Sequence, residues 1–252
     1  MQYQYAKEPQ DYSDFSSGRV FYSIPGHPAF PVRLASEIFQ RCMAHRTAIY
    51  SATGRCTLYD PCCGAAYHLS VLGFLHGEQI REIIASDIDE TAVTAAGRNL
   101  GLLHRDGLDK RIRELSAMLE QYGKDSHRDA LKSASVLKEK LLSRRENWPV
   151  ATKVFQANAT DSKAISSHIQ PQSVDILFTD VPYGRHSQWH DTDSNPLSDP
   201  LRGMLDALQG IVSTSSILAI ASDKQQKVSH ESYQRIEHFQ VGKRRIVILK
   251  PV

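Results

Sequence analysis

The feature that most constrains this chain is the stretch Thr57-Leu58-Tyr59-Asp60-Pro61-Cys62-Cys63-Gly64-Ala65-Ala66. An apolar run ends in an acid, small residues make a tight turn, and Tyr67, Leu69, Val71, Leu72 and Leu75 then follow in a helical segment. Such a strand-turn-helix unit leaves backbone N–H groups free at the helix start and belongs to layered α/β folds. The rhythm recurs. Ile83 to Asp87 predicts a strand leading into a helix from Glu90 to about Leu103. Further strands are predicted over Lys153 to Asn158, Val174 to Asp180 and Ser216 to Ser222, with a helix around Leu201 to Val212. Arg235 to Gln240 and Arg244 to Leu249 flank Val241-Gly242-Lys243, the pattern of an antiparallel hairpin. Nearer the start, Arg19 to Tyr22 predicts a short strand. Pro25, Pro28 and Pro31 then hold an extended turn before a helix carrying Leu34, Ile38, Phe39 and Met43. The order implies an α/β fold with a parallel sheet.

From about Asp106 to Glu146, two charged helical segments separated near Gly123-Lys124-Asp125 interrupt this order. The stretch is too long for an ordinary connection and reads as an inserted helical hairpin, 106–146, within one domain spanning 1–252. A chain of 252 residues with 41% hydrophobic content can bury a full core. Its net charge of +2 gives no global reason to bind nucleic acid or membrane, so any RNA contact must come from a local patch. No basic leader precedes an apolar stretch, and no run is long enough to cross a bilayer, so a cytoplasmic protein with no membrane partner is expected. The four cysteines lack C-x-x-C spacing, and His186 and His190 lack completing ligands; reduced thiols and no metal site are expected.

A ligand carrying an adenosine needs a small turn rich in N–H donors and an acid on the next strand for its ribose. Gly64, Ala65 and Ala66 supply the turn, and Asp87 lies 23 residues after Gly64, near the roughly 20-residue interval of a ribose-binding acid. A dinucleotide fingerprint would need glycines where Ala66 and Leu69 stand, which disfavours a pyrophosphate and a nicotinamide-dependent oxidoreductase. S-adenosylmethionine has no phosphate, and its cationic sulfonium gives Asp60 a reason to sit beside the turn. Alone, Asp60 reads as a helix N-cap and Asp87 as a strand-end turn residue; it is the pair at this interval that points to a cofactor. Asn158 ends the next strand, where its amide can meet an adenine edge, and Ile88 is placed either to cover an adenine face or to pack in the core.

At the other end, Asp180-Val181-Pro182-Tyr183 closes a strand with an acid, a fixed-φ proline and a ring. An aromatic nitrogen is a poor nucleophile because its electron pair is delocalised, so a catalyst must hold it in line and draw off N–H density. Asp180 and a carbonyl near Val181 or Pro182 can accept from it, and Tyr183 can stack on it. Stacking contributes roughly 1–3 kcal/mol, whereas alignment of reactants supplies about 7–11 kcal/mol. Positioning dominates. In isolation these residues also make an ordinary turn.

Two stretches, Asp60-Pro61-Cys62-Cys63-Gly64 and Asp180-Val181-Pro182-Tyr183-Gly184, resemble class I S-adenosylmethionine-dependent methyltransferases of nucleobases. More narrowly, the run from Pro25 to Ala35, Ile84-Ala85-Ser86-Asp87 and Thr179 to Gly184 resemble the AviRa family of rRNA methyltransferases, over most of the chain. The resemblance implies a Rossmann-like fold with a mostly parallel seven-stranded sheet. It also implies methylation of a guanine in large-subunit ribosomal RNA and a part in antibiotic resistance. Asp60, Gly64, Asp87 and Asn158 then match cofactor positions, with Ala66 and Ile88 beside them, and Asp180, Pro182 and Tyr183 match the target-base positions. Two residues depart from the pattern: Ala66 stands where a glycine is found, crowding the methionine part of the cofactor, and Asn158 where an acid is common.

Arg185 and Trp189 follow Tyr183 in a polar loop that can close over a flipped base. The charged helices carry cations such as Lys110, Arg113, Lys124 and Lys140, interleaved with acids, so they read as RNA contacts or as a solvated face. Lys243, Arg244 and Arg245 read as solvated. Partners are therefore ribosomal RNA or the large ribosomal subunit, with the protein a monomer. Rival readings are a methyltransferase of DNA adenine or protein glutamine, and an RNA-binding module without catalysis.

Overall fold

A computed structural model of the protein describes residues 3–26, 28–143, 149–182 and 199–252. The strands are β1 (Cys56–Asp60), β2 (Ile80–Asp87), β3 (Ala151–Gln156), β4 (Val174–Asp180), β5 (Val212–Asp223), β6 (Tyr233–Val241) and β7 (Arg244–Pro251). The helices are α1 (Val32–Tyr50), α2 (Tyr67–His76), α3 (Glu90–Gly101), α4 (Arg105–Tyr122), α5 (Asp125–Leu142), α6 (Ser162–Ser166) and α7 (Pro200–Leu208).

Every residue of β1 is buried, as a central parallel strand covered on both faces requires. The sheet runs β3-β2-β1-β4-β5-β7-β6, with β3, β2, β1, β4 and β5 parallel and β7 antiparallel to both β5 and β6. It is mostly parallel, and the terminal hairpin expected around Gly242 is β6–β7. Successive side chains alternate between two cores, as a strand demands. Leu58, Ile83, Ile176, Phe178 and Ile248 enter the larger one, packed by α1 to α5. Tyr59, Ile84, Leu177, Ile220 and Leu249 enter the smaller, packed by α6 and α7.

Residues 105–142 form two helices packed on each other, with Leu108, Leu115, Ala134 and Leu137 joining the larger core. Several of their cations meet acids: Arg111 with Glu114 at 3.1 Å, Lys132 with Asp129 at 3.4 Å and Lys138 with Asp109 at 2.6 Å.

Two expectations need correction. Arg19 to Tyr22 is a turn and bend, with Val20 and Phe21 fully buried. Four of its backbone groups go to side chains in place of a strand partner. Asn99 donates to Tyr22 O at 2.9 Å and accepts from Tyr22 N at 2.8 Å, and Arg111 donates to Val20 O at 2.8 Å and to Arg19 O at 3.1 Å. The predicted helix to Val212 ends instead at Leu208, because a turn through Gly210 lets Val212 begin β5 in register with Val174.

Candidate active site

The turn after β1 is built by backbone donors. Asp60 Oδ1 accepts from Cys62 N at 2.9 Å, and Cys63 N donates to Ser86 O of β2 at 3.0 Å. Gly64, at φ +52°, donates its N–H to Asp87 Oδ2 at 2.8 Å, while Asp87 Oδ1 accepts from Asp89 N at 3.1 Å. The acid that ends β2 is thus oriented by the turn it faces.

Above this turn lies a cavity of about 380 Å³ at the carboxyl ends of the parallel strands, the usual place for a ligand in open α/β sheets. Among the sequence candidates, Gly64, Asp87, Ile88 and Asn158 line it, and so do Asp180 and Pro182. Asp60 lies fully buried at the end of β1. Ala66 stands behind the turn in the core, its N–H on Cys63 O at 2.8 Å and its carbonyl accepting from Ser70 N and Oγ. Its φ of +51° is the left-handed conformation where an alanine costs roughly 1 kcal/mol or more. Asn158 Oδ1 accepts from Thr160 N and Oγ1, each at 3.0 Å, which fixes the side chain at the cavity edge. Tyr183, Arg185 and Trp189 lie outside the described residues.

Several wall residues escaped the sequence reading. Tyr22, Ser23, Ile24 and Ala29 bring the proline-rich segment over the cavity, and Phe30 and His68 line it beside them. Phe30 meets Phe178 edge-on at 5.5 Å, and His68 lies 4.9 Å from the same ring. Arg244, read as solvated, is only 22% exposed and places Nε 3.6 Å from Asp180 Oδ2. The one signal in the sequence was the Pro25 to Ala35 run, which resembled a known family but carried no side-chain chemistry of its own. His68 lies within an apolar helical segment, and Arg244 reaches the site only through the order of the sheet.

Burial pushes Asp60 up to about 8, with the negative charges of Asp87 and Asp180 adding to the effect. His68 Nε2 stands 3.3 Å from Asp60 Oδ2, yet burial holds the imidazole down to about 4, so it is neutral and offers no compensating charge. Burial raises the Cys62 and Cys63 thiols well above their usual range, which leaves them protonated and unfit as nucleophiles. Among the described residues no cluster of His, Cys, Asp or Glu could hold a metal ion, and no helix is long and apolar enough to cross a membrane.

These residues fit S-adenosylmethionine. A small turn with a positive-φ glycine gives close approach, a held carboxylate suits ribose hydroxyls, and a buried acid, Asp60, ends the strand that leads into the turn. The mostly parallel seven-stranded sheet with a cavity at its strand ends is the architecture of an α/β methyltransferase of class I. Comparison with known proteins narrows this. Residues 1–244 match the family model described as rRNA methyltransferase AviRa, and the chain belongs to that family. It is 36% identical over 248 residues, 98% of its length and 95% of the relative's, to a 23S rRNA (guanine(2535)-N(1))-methyltransferase of Streptomyces viridochromogenes. The solved structure of rRNA methyltransferase aviRa from that organism superimposes with a TM-score of 0.85 at 35% identity, covering 99% of this chain and 96% of that one. A second structure of that enzyme gives the same score at 34% identity.

Proposed function

We propose that this protein transfers a methyl group from S-adenosylmethionine to N1 of a guanine in large-subunit ribosomal RNA. The observation that carries the reading is the shared cavity: Gly64, Asp87 and Asn158 line it together with Asp180 and Pro182. A methyl donor and a target base held there lie within reach of one another. The ring atom follows the name of the relative, which methylates N1. The family resemblance read from the sequence adds to this proposal a part in antibiotic resistance. We take the chain as a cytoplasmic monomer of one domain, with 106–146 an insertion whose exposed cations Lys110, Arg113, Lys124 and Lys140 are available to RNA.

When bound, S-adenosylmethionine supplies an electrophilic methyl group. Asp87 would hold its ribose, Ile88 an adenine face and Asn158 the adenine edge, while Asp60 faces its positive end. Asp180 would accept the target N–H, and the rigid Pro182 corner orients the base. Tyr183 would stack on the base, and Arg185 and Trp189 would contact it or its neighbours. The wall formed by Tyr22, Ser23, Ile24 and Ala29 limits water at the site, which strengthens each electrostatic contact. No covalent enzyme intermediate is needed, in keeping with the protonated Cys62 and Cys63.

The test is incubation with radiolabelled S-adenosylmethionine and separate pools of rRNA, intact large subunits, DNA and protein, followed by nuclease digestion. The expected product is N1-methylguanosine from rRNA alone. Label in DNA adenine or protein glutamine, or binding of rRNA without transfer, sinks the reading.

A further inference from the structure

Asp180 does not face the cavity alone. Arg244, the first residue of β7, lines the same cavity, with Nε 3.6 Å from Asp180 Oδ2 and its guanidinium carbon 5.0 Å above the Phe30 ring. That ring is 4% exposed and braced against Phe178, so the cation rests on a fixed platform. Arg244 Nε is buried and has no hydrogen-bond partner among the described residues, since 3.6 Å exceeds hydrogen-bond reach. A buried donor without an acceptor is costly, and one in a cavity wall points to a ligand.

The need for a cation follows from the chemistry of guanine. Its N1 bears a hydrogen, and the nitrogen pair is delocalised into the C6 carbonyl. The atom becomes a nucleophile only as that proton leaves, and the charge left behind is shared with O6. A carboxylate that takes the proton becomes a neutral acid and by itself offers the charge left on the base no compensation. A guanidinium beside it offers O6 a donor just where negative charge develops.

We propose that Arg244 is a further catalytic residue that binds the guanine O6 edge while Asp180 takes the N1 proton; this rests on the guanine N1 reading above. The N1–H bond breaks and its proton passes to Asp180. The N1 electron pair forms the new bond to the methyl carbon, and the carbon–sulfur pair stays on sulfur, leaving a neutral thioether. Asp180 returns the proton to solvent as product leaves. Arg244 gains and loses no proton. A cation beside a carboxylate favours its charged, proton-accepting form, and this one selects guanine over adenine, whose C6 amino group would present a donor to a donor.

Single-turnover methylation of transcribed large-subunit rRNA across a range of pH, with cofactor binding measured by calorimetry, tests this in R244Q and R244K. R244Q is expected to slow transfer roughly 10²–10³-fold with cofactor affinity unchanged. Its rate should keep rising with pH where the wild-type rate has levelled, and added guanidinium ion should restore part of it. R244K, which keeps the charge and loses the planar fork, should fall between. Wild-type rate and pH profile in R244Q overturn the proposal, as does loss of cofactor affinity in step with rate, or a uniform loss without rescue. Absence of N1-methylguanosine from the wild-type reaction instead overturns the functional reading beneath it, before any substitution is made.

Discussion

The two ends of the cavity are built by different means. At the cofactor end, a continuous turn places its own N–H groups on Asp60 and Asp87, and the contacts span at most 23 residues. At the target end, Asp180 is joined by Phe30 from the N-terminal segment and Arg244 from β7, brought together only by the assembled sheet. The first end is local and backbone-made; the second is distant and made of side chains. Substitutions should therefore separate binding from transfer.

Asp180→Ala gives the largest expected effect: methyl transfer falls by at least about 10³-fold as base positioning and proton removal are lost together, while cofactor affinity stays close to wild type by calorimetry. Equal loss of both would erase the distinction between the ends. Asp87→Ala is expected to do the converse, weakening cofactor binding roughly 10- to 100-fold through lost charge-assisted hydrogen bonds. Part of that loss comes from the Gly64 N–H left without its acceptor.

Proton linkage sharpens the contrast. Burial holds Asp60 at about 8 against a usual 3.8. Between those values the folded state keeps a proton that the unfolded chain has lost, so stability falls as pH rises through this window. A cationic cofactor favours the ionised acid, so its affinity should climb as pH rises to about 8 and then level off. Thermal unfolding with and without S-adenosylmethionine, from about pH 6 to about pH 9, checks both signs; Asp60→Asn should flatten the cofactor trend. His68 works at the other limit. Held down to about 4 from 6.5, it lowers stability as pH falls through that interval. The smallest effect is expected of Ala66→Gly, which relieves the left-handed alanine and leaves a cavity no larger than a methyl group, so stability should move by about 1 kcal/mol or less in denaturant titration.

The same contrast explains what could be read in the sequence. Strand ends and helix starts around Asp60, Gly64, Asp87 and Asp180 were legible because each is set by a few adjacent residues: an apolar run, an acid, a small turn. The strand expected at Arg19 to Tyr22 failed because Asn99 and Arg111, some 77 to 92 residues away, satisfy its backbone. Arg244 was misread for the same reason: beside Lys243 and Arg245 it has the local pattern of a solvated cluster. Nothing near it in sequence announces Phe30 or Asp180. Ala66 was legible as a departure from glycine, but its consequence was not. The turn geometry sends its methyl group into the core, so the expected crowding of the cofactor does not arise from the cavity wall.

The position of β7 has a bearing on biogenesis. It is the last of the seven strands in chain order, yet it slots between β5 and β6 and carries Arg244 to the cavity. A nascent chain can complete the turn that grips the nucleoside while the catalytic wall is still missing. Capacity to retain the methyl donor should therefore precede competence to spend it, and the enzyme stays silent until β7 is in place.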